Sequence, residues 1–310
     1  MSIDSDTCAI LTGASGGIGQ ALLRELLEKG AKVLAVVRSP EKLDGLIAEL
    51  GKANRKRIHV VRADLALPEG RRVVVSAASW LNTAPNLLIH GAASSSFGLF
   101  ADNAADDVGR LLALNVSSPL QLTHDLLPLL RVAPAAQVVA IGSTFGSIGY
   151  PGFAAYCASK FALRGAFEAL AREHHGESIE FLYMSPRATR TDFNSPEVDA
   201  LNQSLGNRVD SAEYVAREIL VAIGRSQRRL QIGWPEKLLV RLNSLSPGLL
   251  DRGIAAQLPK IQSHARQTRA SAVKSGRLND RWDRIPISGL CFQPRRIRRR
   301  HGGRVGWHGR

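Results

Sequence analysis

Apolar positions fall along this chain in two rhythms. Short runs of strand length recur at 7–12, Val33–Val37, Ile58–Arg62, Asn86–His90, Gln137–Ile141 and Ile179–Met184. Between them the apolar residues return every three or four positions. One such stretch runs from Ile18 to Lys29, where Leu22, Leu23, Leu26 and Leu27 form one face and Gly30 sits where a helix stops. Others cover 40–51, 69–82, 104–131 and 153–175. This alternation predicts an α/β chain with a single doubly wound parallel sheet and helices on both faces. In such open sheets ligands bind beyond the carboxyl ends of the strands. Gly13, Arg38, Asp64, His90, Ser143 and Pro186 all lie at or just past expected strand ends, so one crevice gathers them.

After about residue 225 the rhythm changes. Arg225-Ser226-Gln227-Arg228-Arg229 leads into Trp234–Leu242, then Leu245, Leu249, Leu250, Ile254 and Leu258, interleaved with Arg241, Arg252 and Lys260. The pattern predicts a basic amphipathic helix, broken at Pro247 and ending near Pro259. Its apolar face could cover a pocket, pack on another subunit, or lie on a membrane surface with its cations among the headgroups; packing on its own core is the default. The expected organisation is a catalytic domain over 1–235, an amphipathic extension over 236–266 and a basic, unfolded tail over 267–310.

Composition sharpens this picture in three places. Of the formal net charge of +14, residues 268–310 account for ten units, with Arg295-Arg296-Ile297-Arg298-Arg299-Arg300 the densest run. Blocks of like charge are usually solvated, so nucleic-acid binding is not the expected function. No run of about eighteen apolar residues appears, and the first residues lack a signal peptide's basic start and apolar core. Cys8, Cys157 and Cys291 are scattered, which argues against disulfides or a zinc site and suits a reducing cytoplasm. The expectation is a cytoplasmic protein, with peripheral membrane contact as the one qualification.

Two motifs carry chemistry. Gly13-Ala14-Ser15-Gly16-Gly17-Ile18-Gly19 joins the first strand pattern to the first helix pattern. A glycine turn before a helix N-terminus lets backbone N–H groups approach a pyrophosphate, which suggests a dinucleotide site. Its Gly-x-x-x-Gly-x-Gly spacing differs from the commoner Gly-x-Gly-x-x-Gly. Tyr156 and Lys160 stand four apart, so a helix puts them on one face. A nearby ammonium lowers a tyrosine's pKa, and a tyrosine so tuned serves as general acid or base on a carbonyl or alcohol.

Together these residues resemble the short-chain dehydrogenase/reductase family. The glycine motif matches its cofactor turn, Asp64-Leu65 its adenine-contacting aspartate, and Asn115, Ser143, Tyr156 and Lys160 its catalytic set. Pro186 with Thr191 matches the turn that holds the nicotinamide amide. The resemblance covers about residues 7–235. It implies a Rossmann-like fold and transfer of hydride between a nicotinamide cofactor and a carbonyl or alcohol. The cofactor residues would be Gly13, Ser15, Gly17, Ile18, Gly19, Arg38, Asp64, Tyr156, Lys160, Pro186 and Thr191. Tyr156 would donate the proton, and Ser143 would bond the substrate oxygen. Lys160 would hold the ribose and keep Tyr156 acidic, while Asn115 would anchor a water linking Lys160 to solvent. Arg38, where NAD enzymes of the family carry aspartate, favours NADP(H) over NAD(H).

Two positions depart from the family pattern. His90 stands in place of an asparagine that braces the central strand, and is read as structural. Arg187 stands in place of glycine, where it would either loosen the cofactor turn or face an acidic substrate. Residues 187–209 fall where the family places a variable substrate lid. Phe193, Pro196, Leu201 and Leu205 suggest a mobile flap over an apolar pocket but name no molecule; the expected partner is a small-molecule carbonyl or alcohol, lipid-like if the extension contacts a membrane. The resemblance also implies a homodimer or homotetramer built on helices 104–131 and 153–175. The alternative function is an NADPH-binding sensor with little turnover.

Overall fold

The computed structural model describes residues 2–274, with side chains to residue 270. The strands are β1 (Cys8–Thr12), β2 (Lys32–Val37), β3 (Ile58–Arg62), β4 (Leu87–His90), β5 (Ala136–Ile141), β6 (Ile179–Ser185), β7 (Thr189–Arg190), β8 (Asp210–Ser211) and β9 (Arg229–Gln231). The α-helices are α1 (Gly17–Glu28), α2 (Asp44–Glu49), α3 (Lys52–Arg55), α4 (Pro68–Ser79), α5 (Ala105–Leu112), α6 (Ser118–Leu130), α7 (Ala154–Glu173), α8 (Pro196–Ser204), α9 (Ala212–Gly224), α10 (Glu236–Leu245) and α11 (Pro247–Lys274).

Seven strands form one parallel sheet in the order β3-β2-β1-β4-β5-β6-β9, and β7 and β8 make a separate short parallel pair. Successive side chains on a strand face opposite sides, and in the five central strands, β2, β1, β4, β5 and β6, both sides are buried. Ala9 and Leu11 of β1 join the core under α1 and α9, while Ile10 joins the core under α4, α6 and α7. β2 splits the same way, with Val33, Ala35 and Val37 on one face and Leu34 and Val36 on the other. Two-sided burial explains why these strands read as continuous apolar runs rather than as alternating ones.

The strand order reverses between β1 and β4, which opens a crevice at their carboxyl ends. Thr12 fixes the two rims there. Its hydroxyl accepts from the N–H groups of Gly91 (3.1 Å) and Ala92 (3.2 Å). His90 closes the other side of β4. It is buried, its Nε2 lies 2.8 Å from the Thr123 hydroxyl, and its ring meets Phe167 edge-on. Burial pulls its pKa down to about 3, so the imidazole is neutral. The structural reading of this residue agrees with its packing.

Three elements depart from the sequence expectation. The 104–131 helix is interrupted by a π-turn over Ala113–Ser117, which contains Asn115. The edge strand β9 falls in a stretch whose Arg228-Arg229 start gives no apolar run. The C-terminal helix restarts at Pro247 as expected but does not end near Pro259; it continues through that proline to Lys274. Ile261 and Ala265, both fully buried, hold this last part against the body of the protein. The 295–300 arginine run and Cys291 lie outside the described residues.

Candidate active site

A cleft of about 510 Å³ opens at the carboxyl end of the sheet. The first rim is the turn after β1. Gly13 has φ +69, and a Cβ there would meet the Ala92 backbone nitrogen at 2.6 Å, so only glycine fits. α1 begins at Gly17 with no side-chain cap and no acidic residue in its first turn. Its N-terminal N–H groups and positive dipole end therefore remain available to an anion in the cleft. This is the feature a dinucleotide pyrophosphate requires, and the residues fit it. The methyl of Thr191 packs against Gly17 and closes the turn from above.

The second wall comes from β5, the turn after it and α7. Ser143 follows β5, and its hydroxyl accepts from the Phe145 N–H (3.1 Å). Tyr156 and Lys160 are buried on the first turns of α7. The Lys160 ammonium donates to the Ile141 carbonyl at 3.0 Å and stands 5.7 Å from the centre of the Tyr156 ring. Burial pulls Lys160 down to about 8. The expected lowering of the Tyr156 pKa by Lys160 is corrected here. Burial pushes the phenol well above its ordinary range, and the Ser143 hydroxyl offsets this only in part. The lysine faces a backbone carbonyl rather than the phenol oxygen, so desolvation dominates.

Asn115 is buried behind this wall. Its Nδ2 donates to the Ser94 carbonyl (2.8 Å) and to the Ser159 hydroxyl (3.0 Å), and its Oδ1 accepts from the Ser94 N–H (2.9 Å). Ser159 in turn donates to the Tyr156 carbonyl at 2.7 Å. The side chain thus ties the loop after β4 to the first turns of α7.

Gly13, Gly17, Ile18, Gly19, Ser143, Tyr156, Lys160, Pro186 and Thr191 all line the cleft. Ser15, Arg38, Asp64 and Asn115 do not. Arg38 is exposed one residue beyond β2. Asp64 is exposed after β3, and its carboxylate accepts from the Ala66 N–H at 3.0 Å. Ser15 contributes its carbonyl to the Gln20 side chain. Pro186 is buried, and its carbonyl accepts from the Thr144 N–H at 3.1 Å.

One of the remaining walls, the aromatic one, was not assigned from the sequence. Phe145, Tyr150 and Phe153 form an aromatic cluster, with Phe145 and Tyr150 stacked at 5.1 Å between centroids. The signal was present, since apolar residues crowd the interval between Ser143 and Tyr156. Phe193 of the lid brings its ring to 6.1 Å from that of Tyr156. The helical extension forms the roof through Leu239, Leu242, Leu250 and Ile254. Of its three anticipated placements, covering the pocket is the one seen. Side chains fasten it: Tyr150 donates to Gln257 at 2.6 Å, Asn243 to the Ser147 carbonyl at 2.9 Å, and Arg269 pairs with Asp102 at 2.8 Å. Arg187 also lines the cleft, but its charge is held by Asp210 and Glu236 rather than left free for an acidic substrate.

Comparison with known proteins agrees with this geometry. The family described as short chain dehydrogenase matches residues 7–202. The Bos taurus protein named dehydrogenase/reductase SDR family member 7B is 30% identical over 263 residues, spanning 81% of each chain. A solved short-chain dehydrogenase from Streptomyces avermitilis superposes with a TM-score of 0.68 at 27% identity, covering 84% of this chain and 98% of its own. A Burkholderia cenocepacia short-chain dehydrogenase, solved in complex with NADP, gives 0.68 at 25% identity over 76% of this chain and 100% of its own.

Proposed function

The chain belongs to the short-chain dehydrogenase family and is an oxidoreductase acting on alcohol or carbonyl groups with a nicotinamide cofactor; we propose that it is an NADP(H)-dependent reductase of bulky, lipid-like carbonyl compounds. The observation that carries this reading is one cleft with two unlike ends. At one end lie an uncapped helix N-terminus and Thr191; at the other lie the Ser143, Tyr156 and Lys160 side chains, with an aromatic cluster beside them and an aliphatic roof above.

The cofactor, when bound, supplies the hydride that reduces the carbonyl carbon. The rest falls to side chains. Tyr156 donates its proton to the oxygen as negative charge develops there. A phenol held neutral by burial is already in the donor form at neutral pH. Ser143 stabilises the same oxygen by hydrogen bonding. Lys160, pulled down to about 8, is still mostly an ammonium at neutral pH; its charge favours the tyrosinate left after transfer. Asn115 fixes the register of α7 through Ser159 and supports proton resupply to Lys160. The apolar roof expels water and selects the substrate by shape.

The preference for NADP(H) rests on Arg38, which stands exposed just after β2 where a ribose 2′-phosphate is met by arginine rather than by acid. The deciding experiment is a fluorescence titration with NADPH and NADH. Tight NADPH binding, weak NADH binding, and selective loss of NADPH in Arg38→Asp are expected. Equal losses of both cofactors would overturn the preference, and no binding of either by the folded chain would overturn the reductase reading. Binding without turnover of any carbonyl compound would instead favour a sensor.

A further inference from the structure

Arg187 lies between the cofactor turn and the roof of the cleft. It follows Pro186 directly, in the segment that ends at Thr191 against Gly17. Its guanidinium makes four hydrogen bonds. Nε and Nη2 donate to the two carboxylate oxygens of Asp210 at 2.9 and 2.7 Å, and Nη1 donates to Glu236 at 3.3 Å and to the Trp234 carbonyl at 2.9 Å. Asp210 begins β8, where the lid over 187–209 returns, and it pairs with Thr189. Glu236 is the first residue of α10, where the roof begins. One side chain therefore touches the start of the cofactor turn, the end of the lid and the start of the roof.

The geometry makes this junction stiff. A guanidinium presents its donors in a rigid plane, and the bidentate fork with Asp210 fixes orientation as well as distance. The three side chains are only 12%, 10% and 19% exposed, so salt screens their charges little. Removing the cation would leave two carboxylates together in a poorly solvated place, and each would be driven towards water.

We propose that Arg187, Asp210 and Glu236 form a tie through which a ligand in the cofactor turn tightens both the lid and the helical roof, which makes Arg187 a positioning residue for the substrate cavity. The proposal rests on the reductase reading only for the identity of the ligand in that turn. A ligand seated against Gly17 and Thr191 orders residues 186–191. The guanidinium carries that order to Asp210 and Glu236, so cofactor occupancy shapes the cavity before substrate arrives.

Hydrogen exchange on the full chain, with and without NADPH, tests this without requiring turnover. In the native protein NADPH should slow exchange at 13–19 and 186–209, and also across 236–245. In Arg187→Ala, exchange across 196–209 and 236–245 should rise together by at least roughly tenfold. The 236–245 segment should then no longer answer to NADPH, while 13–19 still does. Arg187→Lys, which keeps the charge without the fork, should fall between the two. Glu236→Gln should release the roof and leave the lid responsive. A roof that still responds to NADPH in Arg187→Ala, or a lid that loosens alone, would overturn the proposal. If Arg187→Ala does not fold, Glu236→Gln decides, and an unchanged roof response there overturns it. If NADPH changes nothing in the native chain, the reductase reading fails. The ligand-free comparison of native and Arg187→Ala then still judges the tie: joint loosening supports it and no loosening refutes it.

Discussion

The two ends of the cleft are built by different means. The cofactor end rests on backbone: buried parallel strands, a turn that only glycine can occupy, and a helix whose free N–H groups face the cleft. The substrate end rests on side chains. Its aromatic floor comes from the turn before α7, and its roof is two helices fastened by Gln257, Asn243, Lys260 and Arg269. Backbone construction tolerates almost no substitution but accepts a ligand shared by many enzymes. Side-chain construction can be rebuilt residue by residue around a particular substrate. The catalytic wall joins them: Tyr156 borders both ends, and Lys160 is anchored to the last residue of β5.

The sharpest test of that junction is Tyr156→Phe. Turnover should fall by about 10²–10⁴, while NADPH titration remains near native, because the phenol oxygen is removed and the walls are kept. Retained turnover would remove Tyr156 from its role.

Acid should attack the sheet end first. The His90 pKa lies below its ordinary value of 6.5, at about 3. The unfolded chain therefore takes up a proton that the native protein refuses. Stability should fall as pH drops from about 6.5 towards 3, by up to about 4–5 kcal/mol. Urea midpoints at stepped pH would show it, and His90→Asn should flatten that dependence.

Gly19→Ala tests the backbone argument, since the added Cβ would run into the Gly13 carbonyl. A loss on the order of 3 kcal/mol is expected, with cofactor binding lost in whatever remains folded. At the substrate end, Ile261→Ala empties a fully buried site where α11 joins the hydrophobic cluster that holds Phe153. It should cost about 2–3 kcal/mol and loosen the roof in hydrogen exchange, yet leave NADPH affinity nearly unchanged. Equal damage to cofactor binding would mean that the two ends are not separable. The smallest effect belongs to Gln257→Ala, which removes one strap to Tyr150 at about 1 kcal/mol. Its expected signature is a higher KM for bulky carbonyl compounds at constant kcat.

The apolar runs and the residues closing them were enough to read the sheet. Six of its seven strands, the glycine turn and the Ser143–Tyr156–Lys160 wall follow from patterns local to a few residues, because two-sided burial of the central strands and helical periodicity leave a direct trace in the chain. The seventh strand, β9, escaped because three residues beginning at Arg229 are too few and too polar to make an apolar run, whereas the other edge strand, β3, still carries Ile58, Val60 and Val61. Tertiary structure decided the rest. Nothing local distinguishes a helix that roofs a pocket from one that meets another surface; that depended on Ile261 joining the cluster that holds Phe153 and Tyr156, and on Gln257 finding Tyr150 across the cleft. The same holds for Arg187, whose partners lie 23 and 49 residues away. It holds for the protonation of Tyr156 too. The sequence spacing placed a lysine beside it, but burial, a property of the whole fold, determined which way its pKa moved.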